Sequence, residues 1–346
     1  MNAVWFCLVA VSLAVYVVLD GYDIGAGIVH LFVARTDTER RQVLQSIAPF
    51  WDGNEVWLLA SGGTLYFAFP GLYASSFSGF YLPLMVVLWL LMLRGISIEL
   101  RNHIDSPVWQ PLWDAVFAGS SALLAIFFGA ALGNVVRGAP LDASGDFFLP
   151  LWTDFGTGGD VGILDWYTTL VGINALCALL MHGALWVRMR TEGALQARSE
   201  ALASKAWLLT AILTVLVTVA SFTVQRRLAQ SFSERPWGCV FPAAAVAGLI
   251  GIRWARKSQG KPFLFSSLYV LGMLSSVAFG LFPYVLPSSR DPSLSLTIYN
   301  TAPAAYGLRI GLEWWIPGML LASAYAIFTH WRFAGKVRLD NSGTRP

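Results

Sequence analysis

Four carboxylates lie where the first two long apolar stretches of this chain should meet hydrocarbon. Asp20 and Asp23 fall inside the first stretch, and Asp52 and Glu55 lie near the start of the second. An ionised side chain at the centre of a bilayer costs roughly 2.5–3.5 kcal/mol on insertion scales, so such residues persist mainly where water, an opposite charge or proton transfer requires them. The four acids therefore predict a functional polar site within a membrane.

The composition supports a membrane setting. Of the 346 residues, 56% are hydrophobic and only 12% are charged, which is about half the charge of a typical soluble domain. The period-two alternation of a membrane β-barrel is absent, so we predict an all-α membrane protein that forms a single integral membrane domain over 1–346. Apolar stretches of about 20 residues predict nine transmembrane helices, at about 4–33, 48–69, 73–99, 110–136, 161–189, 206–226, 237–254, 263–286 and 309–332.

The distribution of positive charges predicts the orientation. Cytoplasmic segments of membrane proteins carry an excess of Lys and Arg. With the N-terminus outside and the C-terminus in the cytoplasm, most of the 23 Lys and Arg residues fall on the inner side. The outer segments then hold only Arg137, Arg226, Arg227, Arg235, Arg290 and Arg309.

The predicted spans bring the acids to similar depths. Asp20 lies about 24 Å along the first helix, and Asp23 lies about 4.5 Å deeper, in the inner third of the bilayer. Asp52 and Glu55 open the second span on the same side, and Arg94 arrives there near the end of the third. Each acid pair has the i, i+3 spacing of one helix face. We therefore predict one inner pocket in which at least one carboxyl group binds and releases protons.

The same residues admit other interpretations. Asp20, Asp52 and Glu55 could cap helix ends or pair with Arg94 as structural contacts. Intramembrane acids are equally natural in a proton-coupled secondary transporter. A stand-alone dihaem cytochrome would need two imidazoles at one depth, and only His182 lies well inside a span. No Cys or His spacing typical of a metal site occurs, so we predict no metal ligand in this chain.

Several motifs resemble one membrane protein family. The chain is similar to subunit II of the cytochrome bd quinol oxidases, a family that includes the cyanide-insensitive oxidases. The resemblance covers nearly the whole chain but is most specific in the first hundred residues and around 280–300. It rests on Leu19–Gly27 (LDGYDIGAG), Asp37–Arg41, Ser46–Leu58 (SIAPFWDGNEVWL), Gly62–Gly63, Phe69–Pro70, Phe77–Tyr81, Arg94, Glu99–Arg101, Phe282–Ser288 and Ser295–Asn300.

This resemblance implies a heterodimer in the prokaryotic cytoplasmic membrane. Subunit I would carry two b-type haems, the d-type haem and the quinol-oxidising loop, so we expect no haem ligand and no catalytic residue in this chain. Subunit II of the family stabilises the heterodimer and lines a route for protons from the cytoplasm toward the oxygen-reducing haem. The resemblance also implies two helix bundles with a peripheral helix, and it leaves open a bound quinone and a small accessory subunit.

Individual residues carry the implied roles. Asp20, Asp23, Asp52 and Arg94 match family positions proposed for the proton route. Trp51 matches a position near a quinone that some members bind.

Two positions depart from the family pattern. Phe50 stands where some members have His, which weakens the quinone assignment, and Glu55 stands where some have Gln, which adds an acid to the route. The resemblance favours the oxidase subunit over the transporter and the dihaem cytochrome. Stoichiometric co-purification with a haem-bearing partner would separate these hypotheses.

Overall fold

The computed structural model describes residues 1–159 and 161–337, and this part of the chain is mainly helical. Its two named strands, β1 and β2, form one short antiparallel hairpin. The elements are α1 (Asn2–Val33), α2 (Asp37–Ile47), α3 (Trp51–Ala68), α4 (Pro70–Gly79), α5 (Tyr81–Leu100), α6 (Trp109–Arg137), α7 (Trp166–Arg190), α8 (Gly193–Val224), α9 (Arg226–Glu234), α10 (Val240–Trp254), α11 (Lys261–Leu281), β1 (Tyr284–Leu286), β2 (Leu296–Thr297) and α12 (Ala305–Arg332).

Part of the predicted domain lies outside the described residues. The domain was predicted over 1–346, and its last nine residues include Arg338 and Arg345, both of which contribute to the predicted inner charge. The all-α membrane architecture is confirmed for the described part of the chain.

Within the described part of the chain, eight helices are long and apolar enough to cross a membrane. They are α1, α5, α6, α7, α8, α10 with the turn before it, α11 and α12. The second predicted span, α3, is shorter and more polar, but its 18 residues reach about 27 Å. It starts beside the end of α12 and finishes beside the start of α12, so we infer that it is the ninth span. The nine-span count and the orientation remain predictions.

The clearest differences from the structure concern three predicted spans. In the predicted span 263–286, the helix ends at Leu281 and the last three residues form β1. The predicted span 73–99 is in fact two helices, because α4 ends at Gly79 and α5 begins at Tyr81. A Cβ atom on Gly79 would lie 2.3 Å from the ring of Phe147, so the chain passes very close to the outer loop at this break. The helix predicted at 206–226 begins much earlier, at Gly193, and extends beyond the apolar stretch.

Glycine pairs allow the central helices to pack closely. A Cβ atom on Gly25 of α1 would lie 2.2 Å from the carbonyl oxygen of Leu179 and 2.6 Å from Cα of Gly183 on α7. Small residues at such crossings let membrane helices gain van der Waals contact, since lipid offers no hydrophobic driving force for their association. The α1–α7 contact therefore fixes the core against which the polar residues of α1 are held.

The last helix is attached mainly at its two ends. In α12 only Leu308 and Thr329 are buried. At the predicted outer end, Trp5 donates to the carbonyl oxygen of Leu308 at 3.1 Å. At the other end, His330 contacts the hydroxyl of Tyr22 at 3.0 Å. An open cavity remains between α3 and the C-terminal half of α12.

Candidate functional site

Arg94 on α5 lies at the centre of a buried charge cluster. Its guanidinium is fully buried and donates through Nη1 to Asp20 Oδ1 at 2.6 Å. Its Nη2 donates to Glu55 Oε1 on α3. Asp20 on α1 is also fully buried, whereas the Glu55 side chain is 28% exposed. One positive charge therefore joins carboxylates from two other helices, and Glu55 brings the cluster to the edge of the protein.

Asp23 lies one turn further along α1 and is bound by an amide rather than by an arginine. Asn54 Nδ2 donates to Asp23 Oδ2 at 2.7 Å and to the hydroxyl oxygen of Tyr22 at 2.8 Å. His330 Nδ1 donates to the carbonyl oxygen of Ala326, which leaves Nε2 of the neutral ring to accept from Tyr22. Asn54, Tyr22 and His330 thus connect Asp23 to α12.

Two carboxylate oxygens of this cluster have no protein hydrogen-bond partner among the described residues. They are Asp20 Oδ2 and Asp23 Oδ1, and both are buried. Burying a polar atom without a hydrogen bond costs about 1–3 kcal/mol, and more for a charged one. Each of these two oxygens can therefore accept a further hydrogen bond.

Asp52 is not in the cluster. The structure brings Asp20, Asp23, Glu55 and Arg94 together, but Asp52 is exposed on the first turn of α3, and its Oδ1 accepts from Gly53 N at 2.7 Å. An i, i+3 step turns an α-helix by about 300°, so the two side chains point about 60° apart. Glu55 therefore faces Arg94 while Asp52 turns toward the surface.

Trp51 packs on the opposite side of α3 from the cavity. Its ring would lie 3.3 Å from a Cβ atom on Gly95 of α5. The cavity between α3 and α12 has a volume of about 210 Å³ and a mainly apolar wall. Its lining includes Phe50, Asn54 and His330 but not Trp51. The residue predicted to be near a quinone is thus separated from this cavity.

A second buried network surrounds Asp114, close to the predicted cytoplasmic ends of four helices. His30 Nε2 on α1 lies 2.6 Å from Asp114 Oδ1, and Arg40 of α2 donates to Oδ2 at 2.8 Å. Arg101, just after α5, donates to Asp114 at 2.5 Å and to Asp37 at 2.8 Å. Burial alone would lower the pKa of Arg101, but these hydrogen bonds raise it. Asp114 thus ties α1, α2, the end of α5 and α6 together.

Sequence reasoning did not single out Asp114, although a signal was present. Asp114 is an acid four residues inside the predicted span 110–136, and intramembrane acids are the feature that drew attention to Asp20 and Asp23. Asn54 likewise lies within the family motif at 46–58, between the two predicted site acids Asp52 and Glu55.

Glu39 fastens α2 to the start of α8. Its side chain accepts from Arg35 N at 2.7 Å and from Arg198, which also donates to the carbonyl oxygen of Val33 at 2.6 Å. Glu39 and Thr36 form a capping box at the start of α2. Desolvation alone would raise the pKa of Glu39, but the hydrogen bonds from Arg35 and Arg198 lower it.

Outside the cluster, the buried histidine of α7 has protein partners on both ring nitrogens. His182 Nδ1 lies 2.7 Å from Ser266 Oγ, and Nε2 lies 3.0 Å from the carbonyl oxygen of Val18. Across residues 1–159 and 161–337, no three His, Cys, Asp or Glu side chains are grouped so that they could hold a metal ion.

Comparison with known proteins gives the same family along the whole chain. Residues 1–333 match the model of cytochrome bd terminal oxidase subunit II. The sequence is 33% identical to a probable cytochrome oxidase subunit 2 of Haemophilus influenzae, over 97% of this chain and 95% of that protein. It is 31% identical to cytochrome bd-I ubiquinol oxidase subunit 2 of Escherichia coli K12, over 99% and 96%.

The fold also has a solved relative. It matches a chain in the structure of bd oxidase from Geobacillus thermodenitrificans with a TM-score of 0.74, covering 96% of this chain and 98% of that one. The sequence identity is only 16%, so this match speaks for the fold alone. The family match and the two relatives span nearly all of the sequence, and the chain therefore belongs to the cytochrome bd terminal oxidase subunit II family.

Proposed function

We propose that this chain lines a proton path from the cytoplasm to the haem-bearing subunit I of a cytochrome bd-type quinol oxidase and stabilises the heterodimer. Membership of the family makes the chain part of a respiratory oxidoreductase complex with a subunit I partner that carries haem. Four-electron reduction of oxygen to water consumes protons, so the haem at which it occurs needs a supply of protons. The proposed role of this chain is to deliver them, without catalytic residues of its own.

The observation that carries the proposal is the continuity of the charge cluster. It runs from Glu55, which is 28% exposed, through the fully buried Arg94 to the fully buried Asp20. Asp23 lies one turn further along α1, toward its predicted cytoplasmic end. An ion pair placed only for stability gains little from burial, because desolvation offsets the Coulomb attraction. A cluster that begins at the surface and ends on buried acids suits proton transfer better.

The charge balance suggests which acid carries the proton. Arg94 offers one positive charge to Asp20 and Glu55, and it makes no hydrogen bond to Asp23. Asp23 is held by the neutral amide of Asn54, and its Oδ1 has no protein partner among the described residues. We propose that Asp23 holds the transferable proton, whereas Asp20 is paired with Arg94. Asp52 is the proposed collecting group at the mouth of the path.

The position of these acids also suggests where subunit I docks. Asp52 is exposed, and Glu55 is partly exposed, on a face of α3 that otherwise presents apolar side chains such as Leu59. The neighbouring helix α5 exposes Trp89 and Met92. Carboxylates are expensive at a lipid-facing surface. We therefore propose that subunit I covers this face.

Several finer features belong to the same proposal. These are the N-out, C-in orientation in the cytoplasmic membrane, two b-type haems and one d-type haem in subunit I, and a small accessory subunit. A quinone near Trp51 is also proposed, by analogy with members that bind one. Its test is the quinone content of the purified complex, which a Trp51→Ala substitution should lower. The transporter alternative is not favoured by the family match.

The test of the path is the variant Glu55→Gln in the purified two-subunit complex. We expect slower oxygen consumption and slower proton uptake, with the visible haem spectrum retained, because the haems lie in subunit I. Glu99→Gln is the matched control, since Glu99 is an exposed acid on α5 outside the cluster. Equal and undiminished turnover in both variants would exclude Glu55 from the route.

A further inference from the structure

A small cleft lies at the predicted cytoplasmic ends of α7, α8 and α10, far along the chain from the acid cluster. It has a volume of about 30 Å³ and is lined by Arg188, Arg253 and Arg256. Ser204 and Trp207 of α8 complete the polar and aromatic part of its wall. Three guanidinium groups around one cleft are unusual, because like charges repel unless an anion lies between them.

Arg188 forms the fixed floor of this cleft. Its side chain is only 6% exposed. Its Nη2 donates to the carbonyl oxygen of Arg256 at 2.7 Å, and its Nη1 donates to that of Ser258 at 3.0 Å. These carbonyl partners are neutral. The carboxylate of Glu200 forms an ion pair with Arg188, because its Oε2 lies 3.2 Å from Nε, although the geometry is not that of a hydrogen bond.

Arg253 and Arg256 extend the positive charge to the surface. Both side chains are exposed, and neither lies within 4.0 Å of a carboxylate among the described residues. Arg253 stacks over the ring of Trp207, with its guanidinium carbon 5.0 Å from the ring centroid. That contact holds one guanidinium in place. Among the described residues, Glu200 is the single acid that lines the cleft, and its side chain is 48% exposed, so three positive charges there face one negative charge.

An apolar surface leads from the cleft toward the middle of the predicted membrane. Leu208 and Ile212 are exposed on α8, and Ile250 and Val246 are exposed on α10. Trp254 at the end of α10 is 78% exposed, as expected for an aromatic side chain at the lipid headgroup level. Basic pockets between transmembrane helices on the cytoplasmic side are suited to anionic lipid headgroups.

We propose that this cleft binds the phosphate group of an anionic phospholipid from the cytoplasmic leaflet. The phosphate oxygens contact Arg188, Arg253 and Arg256, because charge-assisted hydrogen bonds to guanidinium groups are strong. The acyl chains lie along the exposed apolar residues of α8 and α10. The cleft is too small for a whole headgroup, so it takes the phosphate oxygens and leaves the remainder of the headgroup in water.

The test uses the purified two-subunit complex, stripped of lipid by detergent and examined by native mass spectrometry. Phosphatidylglycerol, phosphatidylcholine or inorganic phosphate is added at matched concentrations. We expect one phosphatidylglycerol to be retained in preference to phosphatidylcholine. The variant R253Q/R256Q should bind it about twenty-five-fold more weakly, at about fivefold for each arginine. The control K205Q/K257Q removes the same charge from exposed lysines that do not line the cleft, and it should bind normally.

A variant that should bind the lipid more tightly distinguishes a true change in affinity from a loss of binding caused by misfolding. Glu200→Gln removes the acid at the cleft and should tighten phosphatidylglycerol binding by about fivefold. Equal retention of phosphatidylcholine, displacement of the lipid by inorganic phosphate, or equal losses in R253Q/R256Q and K205Q/K257Q would each overturn the proposal. Release of subunit I from R253Q/R256Q, with lipid still bound, would identify the cleft as a protein contact instead.

Discussion

The variant Arg94→Gln separates a structural role of the charge cluster from a role in proton transfer. Arg94 and Asp20 are both fully buried and joined at 2.6 Å. Removing one partner of a buried ion pair leaves an uncompensated charge and typically costs 3–5 kcal/mol. We therefore expect Arg94→Gln to lower the unfolding free energy by about 3–5 kcal/mol. Thermal unfolding of the purified complex measures this loss.

The double variant Asp20→Asn/Arg94→Gln should recover most of that stability. It removes both buried charges, and Glu55 is partly exposed, so that carboxylate can be hydrated. Oxygen consumption per haem should nevertheless stay about tenfold below wild type, which corresponds to about 1.4 kcal/mol on the barrier. Stability and turnover would then respond differently to the same pair of substitutions.

A second buried ion pair provides the matched control. Arg137 at the predicted outer end of α6 pairs with Asp165, and both side chains are almost completely buried. Asp165 also caps α7, and Asn can serve as a cap as well. Arg137→Gln should destabilise the complex, and Asp165→Asn/Arg137→Gln should restore it with normal turnover per haem. Full recovery of turnover in the Asp20/Arg94 double variant would refute the proton path and leave a structural ion pair.

Three further predictions concern other parts of the chain. Asp52→Asn should slow oxygen reduction and proton uptake with haem spectra nearly intact, and unchanged quinol oxidase turnover would count against a role for Asp52. In Gly25→Ala the new Cβ would lie 2.2 Å from a carbonyl oxygen, so α1 must move away from α7. This overpacking should reduce the unfolding free energy by about 1–3 kcal/mol and lower the unfolding temperature. Gly62→Ala, which meets nothing within 4 Å, is the control and should not destabilise. The lowered pKa of Glu39 contributes stability that is present above its ordinary pKa of 4.5 and is lost as the pH falls. Glu39→Gln should therefore flatten the fall of the unfolding temperature as the pH drops below about 5, and an unaltered slope there would contradict this assignment.

The membrane architecture could be predicted because it depends on long apolar stretches, which the sequence shows directly. The boundary between α4 and α5 could not. Residues on both sides of Phe80 are apolar, and the break depends on contact with Phe147 from a distant loop. The early start of α8 at Gly193 was missed for the opposite reason, since its first turns are polar and lie beyond the apolar stretch.

The acid cluster was predicted from depth and spacing, and this was sufficient for Asp20, Glu55 and Arg94. Depth does not define the direction of a side chain around its helix, which is why Asp52 was predicted to join them. The hydrogen bond from Asn54 to Asp23 is equally invisible in sequence, because it requires the exact rotation of α3 against α1. Such details come from tertiary packing and not from local pattern.

Asp114 has a consequence for the acid cluster although it does not touch it. His30 follows Asp20 by ten residues on α1, and Arg101 follows Arg94 by seven residues near the end of α5, so both helices are pinned to the same carboxylate about 10–15 Å from the cluster. A slip of either helix by one residue would shift its side chains by about 1.5 Å and rotate them by about 100°. The hydrogen bonds at Asp114 therefore fix the relative heights of α1 and α5, and with them the alignment of Asp20 with Arg94. These bonds lie near the boundary with water, where placing polar groups costs less free energy than in the hydrocarbon interior.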